Sequence, residues 1–263
     1  RFVVREWTEQ VSDILTLPCR AFFTYDQIGI LQHAKTYLSR SVDFLTRIAG
    51  PCPHEALTLV DAPRQAANQE YPGISFIGLV EDAFELEQRI IQQTAEQWIS
   101  CHLPINRREH HWLDQGLSTY LELRYLSQNQ AGNWQEQLPA FLQTSSNRSL
   151  EELAYLYLAR RHVDEPPNHP VERLSANEAY VSHYAKPALG FRLLEKQLGR
   201  GPFESVLRRF FRERDHRPDQ LAEMLRKGSP ASSDWFFNQY VSSPARNDYQ
   251  IRGFQGENQL KLR

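Results

Sequence analysis

Hydrophobic positions along most of this chain recur three and four residues apart, which is the spacing of a helix with one buried face. Residues 27–49 follow this pattern and end at the helix-stopping pair Gly50-Pro51. Residues 83–103 follow it again, with polar side chains beside the apolar stripe. Further helices are predicted at 113–127, 135–144, 150–162, 177–199, 202–214, 217–227 and 233–240. The chain is therefore predicted to be mainly helical.

Strand-like sequence is confined to short stretches. Residues 1–25 are rich in β-branched and aromatic residues, and residues 54–61 have the composition of a buried strand. Residues 249–251 and 259–262 are predicted strands of a β segment that begins near the end of the chain. The stretch 163–171 contains three prolines, which predicts a linker or a surface loop.

Composition and charge narrow the class of protein. The chain has 263 residues, of which 41% are hydrophobic and 24% charged, as expected for a globular protein with a sizeable core. A net charge of −2 argues against nucleic acid as the main partner. No apolar run approaches the roughly 20 residues of a membrane span. Cys19, Cys52 and Cys101 are far apart, which predicts three separate core residues.

Two polar segments in the first half of the chain carry a specific motif. The sequence QQTAEQWIS covers residues 92–100, and WLDQGLSTYLE covers residues 112–122. Together they resemble the zinc-binding core of the aminopeptidase-N-like metallopeptidases, in which one helix carries HExxHQW and the next opens with WLNEGxxTYLE. Between Glu96 and Gln115 lie 18 residues, which is the spacing in that family.

The motif frame is intact, but the residues that carry the family's chemistry are replaced. The two histidine ligands fall on Gln92 and Glu96. The general-base glutamate falls on Gln93, and the third ligand, a glutamate, falls on Gln115. Zinc prefers imidazole, thiolate and carboxylate ligands, and a carboxamide is not basic near neutral pH. We therefore expect no zinc, no other cofactor and no active catalytic residue at these positions, which describes a pseudopeptidase.

A loop before the first motif helix supplies a candidate substrate-binding residue. Residues 66–79 resemble the Gly-Met-Glu-Tyr-Pro-Gly loop of some bacterial members of the family, and Tyr71 continues the match. The resemblance gives Glu70 the role of holding the free α-amino group of a peptide, and makes residues 74–79 the edge strand along which the peptide lies. Taken without the motif that follows, Glu70 is better explained as a solvated loop carboxylate; together with that motif, the matching role is favoured.

A third match lies in the second half of the chain. The sequence YAKPALGFRLLE begins at Tyr184 and resembles the family's Tyr-x-Lys-Gly-Ala helix, with Pro187 in place of the glycine. Tyr184 falls on the tyrosine that stabilises the oxyanion in the family. Taken alone, the residue is an ordinary half-buried tyrosine.

The resemblance implies an α+β fold of the thermolysin-like (gluzincin) type, with a small mixed sheet and a mainly helical half. Residues 1–25 are then the extended remnant of a preceding β-domain. The catalytic-type domain covers 26–240, with an α/β half at 26–105 and a helical half at 106–240. Residues 241–263 begin a following β segment. Because it starts with an arginine, the chain is expected to be a piece of a longer protein.

Three hypotheses about function follow. The first is an inactive aminopeptidase-like domain that binds a peptide or protein partner, or the rest of its own polypeptide. The second is a zinc-dependent aminopeptidase-like hydrolase with an unorthodox site that uses Glu96 and other groups. His110 and His111 lie nearby in sequence, and surface or supporting roles are expected for them. The third is a structural domain of a bacterial, extracytoplasmic or membrane-associated assembly.

Loss of zinc also predicts the electrostatics of the pocket. Glu70 and Glu96 would leave it net negative, and buried carboxylates are costly unless they are paired or protonated. We expect Glu96 to be neutral or the pocket to recruit a cation. The candidates are an arginine of this chain and the α-amino group of a peptide, and the internal partner is favoured because it costs no association entropy.

Overall fold

In a computed structural model, the residues described are 2–11, 15–24, 29, 32–63, 70–100, 106–129, 150–213, 217–228, 233–243, 251–254 and 260–262. The predicted helix at 135–144 and Cys101 lie outside them. Within these ranges, no helix is both long and apolar enough to cross a membrane.

A five-stranded mixed sheet forms one side of the molecule. Its strands are β1 (Phe2–Gln10), β2 (Thr16–Thr24), β3 (Leu57–Asp61), β4 (Glu70–Tyr71) and β5 (Ile74–Ile77). The order is β1-β2-β3-β5-β4, with β2, β3 and β5 parallel and the two outer strands antiparallel to their neighbours. Alternate residues of β2 are buried, which places one of its faces on the core. Because β1 and β2 belong to this sheet, the strands predicted at 1–25 pack together with those that follow.

The expectation that residues 74–79 form the edge strand is wrong for the first part of that stretch. Ile74 and Ser75 pair with β4 on one side and with β3 on the other, so β5 lies inside the sheet there. The short β4 exists because Gly73 takes a positive φ of 77° and turns the chain back. A side chain at Gly73 would also meet the carbonyl oxygen of Ala56 at 2.9 Å.

Helices make up most of the remainder, and the predicted α+β class with a small mixed sheet and a mainly helical half is confirmed. They are α1 (Ala34–Ala49), α2 (Ala83–Trp98), α3 (Arg107–Asn129), α4 (Leu150–Arg160), α5 (Ala176–Ala179), α6 (Lys186–Leu198), α7 (Arg200–Arg212) and α8 (Pro218–Gly228). A separate pair of strands, β6 (Ile251–Phe254) and β7 (Leu260–Leu262), lies near the end of the chain. β7 falls within the predicted strand at 259–262, whereas β6 overlaps the predicted strand at 249–251 only at Ile251.

The central helix α2 is shorter than predicted. The side chain of Asp82 accepts a hydrogen bond from Glu85 N at 2.8 Å and caps the start. The helix ends at Trp98, whose indole N–H donates to Gly50 O at 3.0 Å. It packs against α1, β5 and α3, and so joins the sheet to the helical half.

Two π-helical turns interrupt the regular helices, which periodicity did not predict. One covers Tyr180–Ala185 between α5 and α6, and the other covers Phe236–Val241. The first ends at Ala185, two residues before Pro187, whose ring would clash with the carbonyl four residues earlier in a regular helix. A wider turn avoids this clash, and Tyr180 and Tyr184 both lie in it.

Candidate functional site

Helices α2 and α3 run antiparallel, and hydrogen bonds near both ends fix their register. Gln88 Nε2 donates to Glu122 Oε1 at 3.0 Å at one end. The Ser100 hydroxyl donates to the Asp114 carboxylate at the other end. The middle of α2 therefore lies beside the early part of α3.

The four family-equivalent positions, which are those of the family's zinc ligands and general base, lie between these two hydrogen bonds. Glu96 and Gln115 are 4% and 7% exposed, and Gln93 is fully buried. Gln92 is half-buried, one turn after Gln88 on the same face of α2. Both hydrogen bonds therefore enclose Glu96 on α2 and Gln115 on α3. The roles predicted for these positions stay predictions.

A hydrogen bond within α2 joins two of these positions. Gln93 Nε2 donates to Glu96 Oε2 at 2.7 Å, so a neutral amide, rather than an arginine, supplies this donor to the carboxylate. Among the described residues, Gln93 Oε1 has no hydrogen-bond partner although it is buried. The helix thus presents one satisfied carboxylate oxygen beside one unsatisfied carbonyl oxygen.

The donor set does not fit zinc. Gln92, Glu96 and Gln115 supply one carboxylate and two carboxamides, whereas a catalytic zinc site takes three imidazole, thiolate or carboxylate ligands. The amide N–H of Gln93 also points at Glu96, where a metal ion needs a bare oxygen.

The β4–β5 turn is attached to α2 by the residue after Glu96. Gly73 N donates to Gln97 Oε1 at 2.8 Å, and Gln97 Nε2 donates to Ser75 Oγ at 3.0 Å. The backbone of Glu70 pairs with Ser75 on β5. The predicted role of its carboxylate concerns a side chain outside the described part of the structure. Tyr71 beside it is 55% exposed.

Tyr184 approaches the site from the first π-helical turn. Its ring lies 5.9 Å from that of His111 and 5.8 Å from that of Tyr180, measured between centroids. His111 precedes Gln115 by one turn of α3, so Tyr184 borders the same stripe of α3. The ring contact with His111 places the tyrosine there, and its chemical role stays a prediction.

The sequence analysis missed a histidine next to Tyr184. His183 is 1% exposed, its Nε2 lies 2.8 Å from His169 O, and its ring centroid is 5.2 Å from that of His111. Burial, more than the neighbouring groups, lowers the pKa of His183. This contact assigns the proton to Nε2, since a carbonyl oxygen only accepts. The only sequence signal was its place beside Tyr184.

The sequence analysis also missed a buried carboxyl cluster, which consists of Glu122 and Glu151. Burial raises the pKa of Glu122 to about 8, and the nearby charge of Glu151 adds to the effect. Tyr180 Oη donates to Glu151 Oε1 at 3.5 Å, which connects the cluster to the π-helical turn. Glu122 follows Gln115 by two turns of α3, so its helical spacing was the available signal.

Once the geometry is known, comparison with solved structures identifies the class of fold. The chain is similar to M1 zinc metallopeptidases, which confirms the predicted aminopeptidase-like fold. At 14–18% identity, these likenesses show the fold alone. No protein-family model matches the chain, and no curated protein matches it in sequence.

The particular structures are bacterial enzymes much longer than this chain. The M1 zinc metallopeptidase from Deinococcus radiodurans has a TM-score of 0.67 and 17% identity, over 94% of this chain and 53% of that chain. A mutant of it bound to a Tyr-Ser-Ala substrate has a TM-score of 0.67 and 18% identity, with the same coverage. Legionella pneumophila aminopeptidase A in complex with aspartic acid has a TM-score of 0.66 and 14% identity, over 92% of this chain and 28% of that chain. The chain thus spans about half, or less, of the proteins it resembles.

Proposed function

We propose that this chain is an aminopeptidase-like domain of the thermolysin-like class that binds peptides without hydrolysing them. The observation that carries the proposal is the hydrogen bond of 2.7 Å from Gln93 Nε2 to Glu96 Oε2. Gln93 stands at the position of the family's general base, and Glu96 stands at the position of a metal ligand. In this chain the two side chains bond to each other.

The chemistry of this pair argues against hydrolysis through the family's mechanism. A general base must accept a proton from water, and a carboxamide is not basic near neutral pH. The amide of Gln93 instead donates to Glu96, the one carboxylate among the three ligand positions. Hydrolysis would therefore lack both the base and a fitting set of metal ligands.

Peptide capture needs neither a base nor a metal. Gln97 holds the β4–β5 turn against α2, and this turn carries the backbone of Glu70. A carboxylate binds an α-amino group by charge and hydrogen bonding alone. The resemblance assigns that role to Glu70 and places Tyr71 beside the peptide.

The first experiment measures metal content and hydrolysis together. Protein purified without chelators and then exposed to zinc is expected to hold far less than one zinc per chain. It is also expected to release no amine from aminoacyl-p-nitroanilides above the buffer rate. One zinc per chain together with hydrolysis would overturn the proposal in favour of the unorthodox hydrolase.

The second experiment titrates trialanine and acetyl-trialanine by calorimetry. The free amine is expected to bind at least tenfold more tightly, and Glu70→Gln should abolish the difference. Glu55→Gln, an exposed carboxylate elsewhere, is the matched control and should leave binding unchanged. If neither peptide binds, the peptide-binding proposal is wrong and an architectural domain remains.

A further inference from the structure

We propose that Gln97 is a positioning residue that sets the preference of this chain for peptides with a free α-amino group. It acts by fixing the short β4–β5 hairpin, which carries Glu70. The inference rests on the proposed function and names a further residue of the same site. Gln97 lies near the end of α2 and is 1% exposed, and the resemblance assigns it no role.

The first argument is the weakness of β4 on its own. This strand has two residues, Glu70 and Tyr71, and each pairs once with β5. It is the last strand in the sheet order, so within the described ranges no strand supports its other side. Tyr71 is 55% exposed, and its side chain therefore buries little surface. So short a hairpin is marginally stable by itself, and contacts from outside the sheet are needed to hold it.

The second argument is the set of hydrogen bonds that Gln97 makes. Its Oε1 accepts from Gly73 N at 2.8 Å, in the turn between β4 and β5. Its Nε2 donates to Ser75 Oγ at 3.0 Å and to Ile74 O at 3.3 Å, both on β5. One buried amide thus bonds both to the turn and to the strand after it. Buried hydrogen bonds are costly to lose, so this side chain holds the hairpin in one position.

The third argument is the register that connects Gln97 to Glu70. Ser75, which accepts from Gln97, is the residue that pairs with Glu70 across the two strands. Residues directly opposite each other in a sheet belong to the same face. Position 70 is therefore on the face of the sheet to which Gln97 is bonded. A change at Gln97 acts on this position through a single residue pair.

The turn is also fixed on the side away from α2. Gly73 O accepts from Thr58 N at 2.7 Å, which attaches the turn to β3. His54 Nε2 lies 3.1 Å from Gln97 O, so the segment before β3 contacts the same residue of α2. The turn is thus held between β3 and α2, and Gln97 provides the attachment to α2. A site that is fixed before binding loses less conformational freedom when the peptide binds.

The experiment measures the amine preference, defined as the dissociation constant of acetyl-trialanine divided by that of trialanine. Calorimetry is expected to give a preference of at least tenfold for the unmodified protein. Gln97→Met keeps the length of the side chain and removes both polar atoms, and it should abolish most of this preference. The affinity for acetyl-trialanine should change little, because that peptide has no free amine for Glu70. An unchanged preference in folded Gln97→Met would overturn the inference.

Two controls separate positioning from a general loss of stability. Leu225→Ala removes a fully buried side chain from α8, which packs against α7, and should lower the melting temperature but keep the preference. Gln197→Met makes the same chemical change at an exposed glutamine whose Oε1 accepts from Trp235 Nε1 at 2.7 Å, and should also keep it. If Leu225→Ala lost as much of the preference as Gln97→Met, stability alone would explain the effect and the inference would be overturned.

A double variant tests whether Gln97 acts through Glu70. Glu70→Gln alone is expected to abolish the preference, and adding Gln97→Met should weaken trialanine binding no further. Effects of residues that act through one contact are not additive. A further loss in the double variant, as large as the loss that Gln97→Met causes alone, would show that Gln97 acts independently of Glu70 and would overturn the inference.

Hydrogen exchange at the Gly73 amide tests the attachment without any peptide. Exchange is expected to be at least tenfold faster in Gln97→Met than in the unmodified protein, because the acceptor of that N–H is gone. An unchanged rate would overturn the inference. If Gln97→Met does not fold, Gln97→Asn replaces it in every measurement, since it keeps the amide but is one methylene too short to reach Gly73.

Failure of this inference is distinguishable from failure of the proposed function. A preference that is lost in Glu70→Gln but retained in Gln97→Met would overturn the inference and leave the proposed function intact. Equal binding of the two peptides to the unmodified protein would overturn the proposed function, and this inference with it.

Discussion

Carboxamide side chains occupy three of the four family-equivalent positions between α2 and α3, and they do not ionise near neutral pH. The one carboxylate there, Glu96, receives a hydrogen bond from Gln93. The sequence analysis favoured an arginine of this chain as the partner of Glu96. The donor in this hydrogen bond is instead the neutral amide of Gln93. The sequence indicated which residue types lie at these positions, but not that two of them bond to each other, because that depends on rotamers.

Glu122 is expected to make the stability of the protein fall as the pH rises. The pKa of this carboxyl is raised from 4.5 to about 8 by burial, so between these values the folded chain keeps a proton that the unfolded chain releases. The folded chain then binds more protons than the unfolded chain. The free energy of unfolding therefore decreases as the pH rises, by up to roughly 1.4 kcal/mol per pH unit. Urea denaturation of the unmodified protein and Glu122→Gln at pH 5 and pH 8 measures the effect.

The Glu122→Gln variant should gain stability relative to the unmodified protein between pH 5 and pH 8. Glu109→Gln removes an exposed carboxylate from the same helix and should show no such gain. A constant difference between Glu122→Gln and the unmodified protein across this range would contradict the raised pKa.

Gly116 is expected to tolerate no side chain. A Cβ atom there would lie 2.6 Å from Pro187 Cβ, so a methyl group would force α3 and α6 apart. Gly116→Ala should lower the free energy of unfolding by about 1–3 kcal/mol. In the control Gly201→Ala, the added Cβ meets nothing within 4 Å, and the stability should rise slightly. Equal urea midpoints for the two variants would show that the helices can separate freely.

At the scale of elements, two side-chain hydrogen bonds fix the register of α2 and α3, and the predicted convergence of the ligand positions stays a prediction. Both helices and their spacing were predicted because the motif depends on local sequence and helical periodicity. Sequence reasoning predicted neither the π-helical turn before Pro187 nor the pairing of β4 with β5. A π turn depends on how its helix packs, and β4 depends on the backbone of Gly73.

If the register is that of a metal site, restoring the ligands should restore zinc binding. The variant with Gln92→His, Gln93→Glu, Glu96→His and Gln115→Glu is expected to take up one zinc per chain. The control variant, which lacks only Gln115→Glu, should hold zinc much more weakly because a ligand is missing. Metal analysis after dialysis measures both. Failure of the fourfold variant to take up zinc, while still folded, would show that the helices have shifted apart.

At the scale of the whole molecule, a buried ion pair attaches the loop after α4 to the helical half. Lys186 Nζ lies 3.3 Å from Asp164 Oδ2, and both side chains are fully buried. The ring of Tyr240 lies 5.7 Å from the ammonium group, and its hydroxyl donates to Lys186 O at 2.8 Å. The sequence predicted this stretch as a linker or surface loop; it is a loop, but Asp164 is buried.

Breaking this pair is expected to be costly. Lys186→Met leaves Asp164 as a buried charge and should lower the free energy of unfolding by about 3–5 kcal/mol. Adding Asp164→Asn should recover part of the loss, because the charge is then gone. Lys227→Met, at an exposed pair with Glu223, is the control and should change little. Calorimetric melting compares the four proteins, and a small loss in Lys186→Met would mean that water reaches Asp164.

The boundaries of the larger units remain predictions. The division into 1–25, 26–240 and 241–263 came from the resemblance, and the sheet places β2 beside β3, with β1 on the other side of β2. Composition could not predict this, because strand pairing over a long loop depends on contacts between distant residues.

The position of β1 at the end of the strand order bears on the solubility of the chain. Nine residue pairs with β2 occupy one side of β1, and within the described ranges no strand pairs with its other side. Such an open row of N–H and C=O groups is a template on which other molecules can add strands and aggregate. Arg5 and Glu6 are exposed on β1, and charged side chains on an outer strand oppose that addition. Replacing both with valine would join them to Val3 and Val4 in one apolar run and remove this protection.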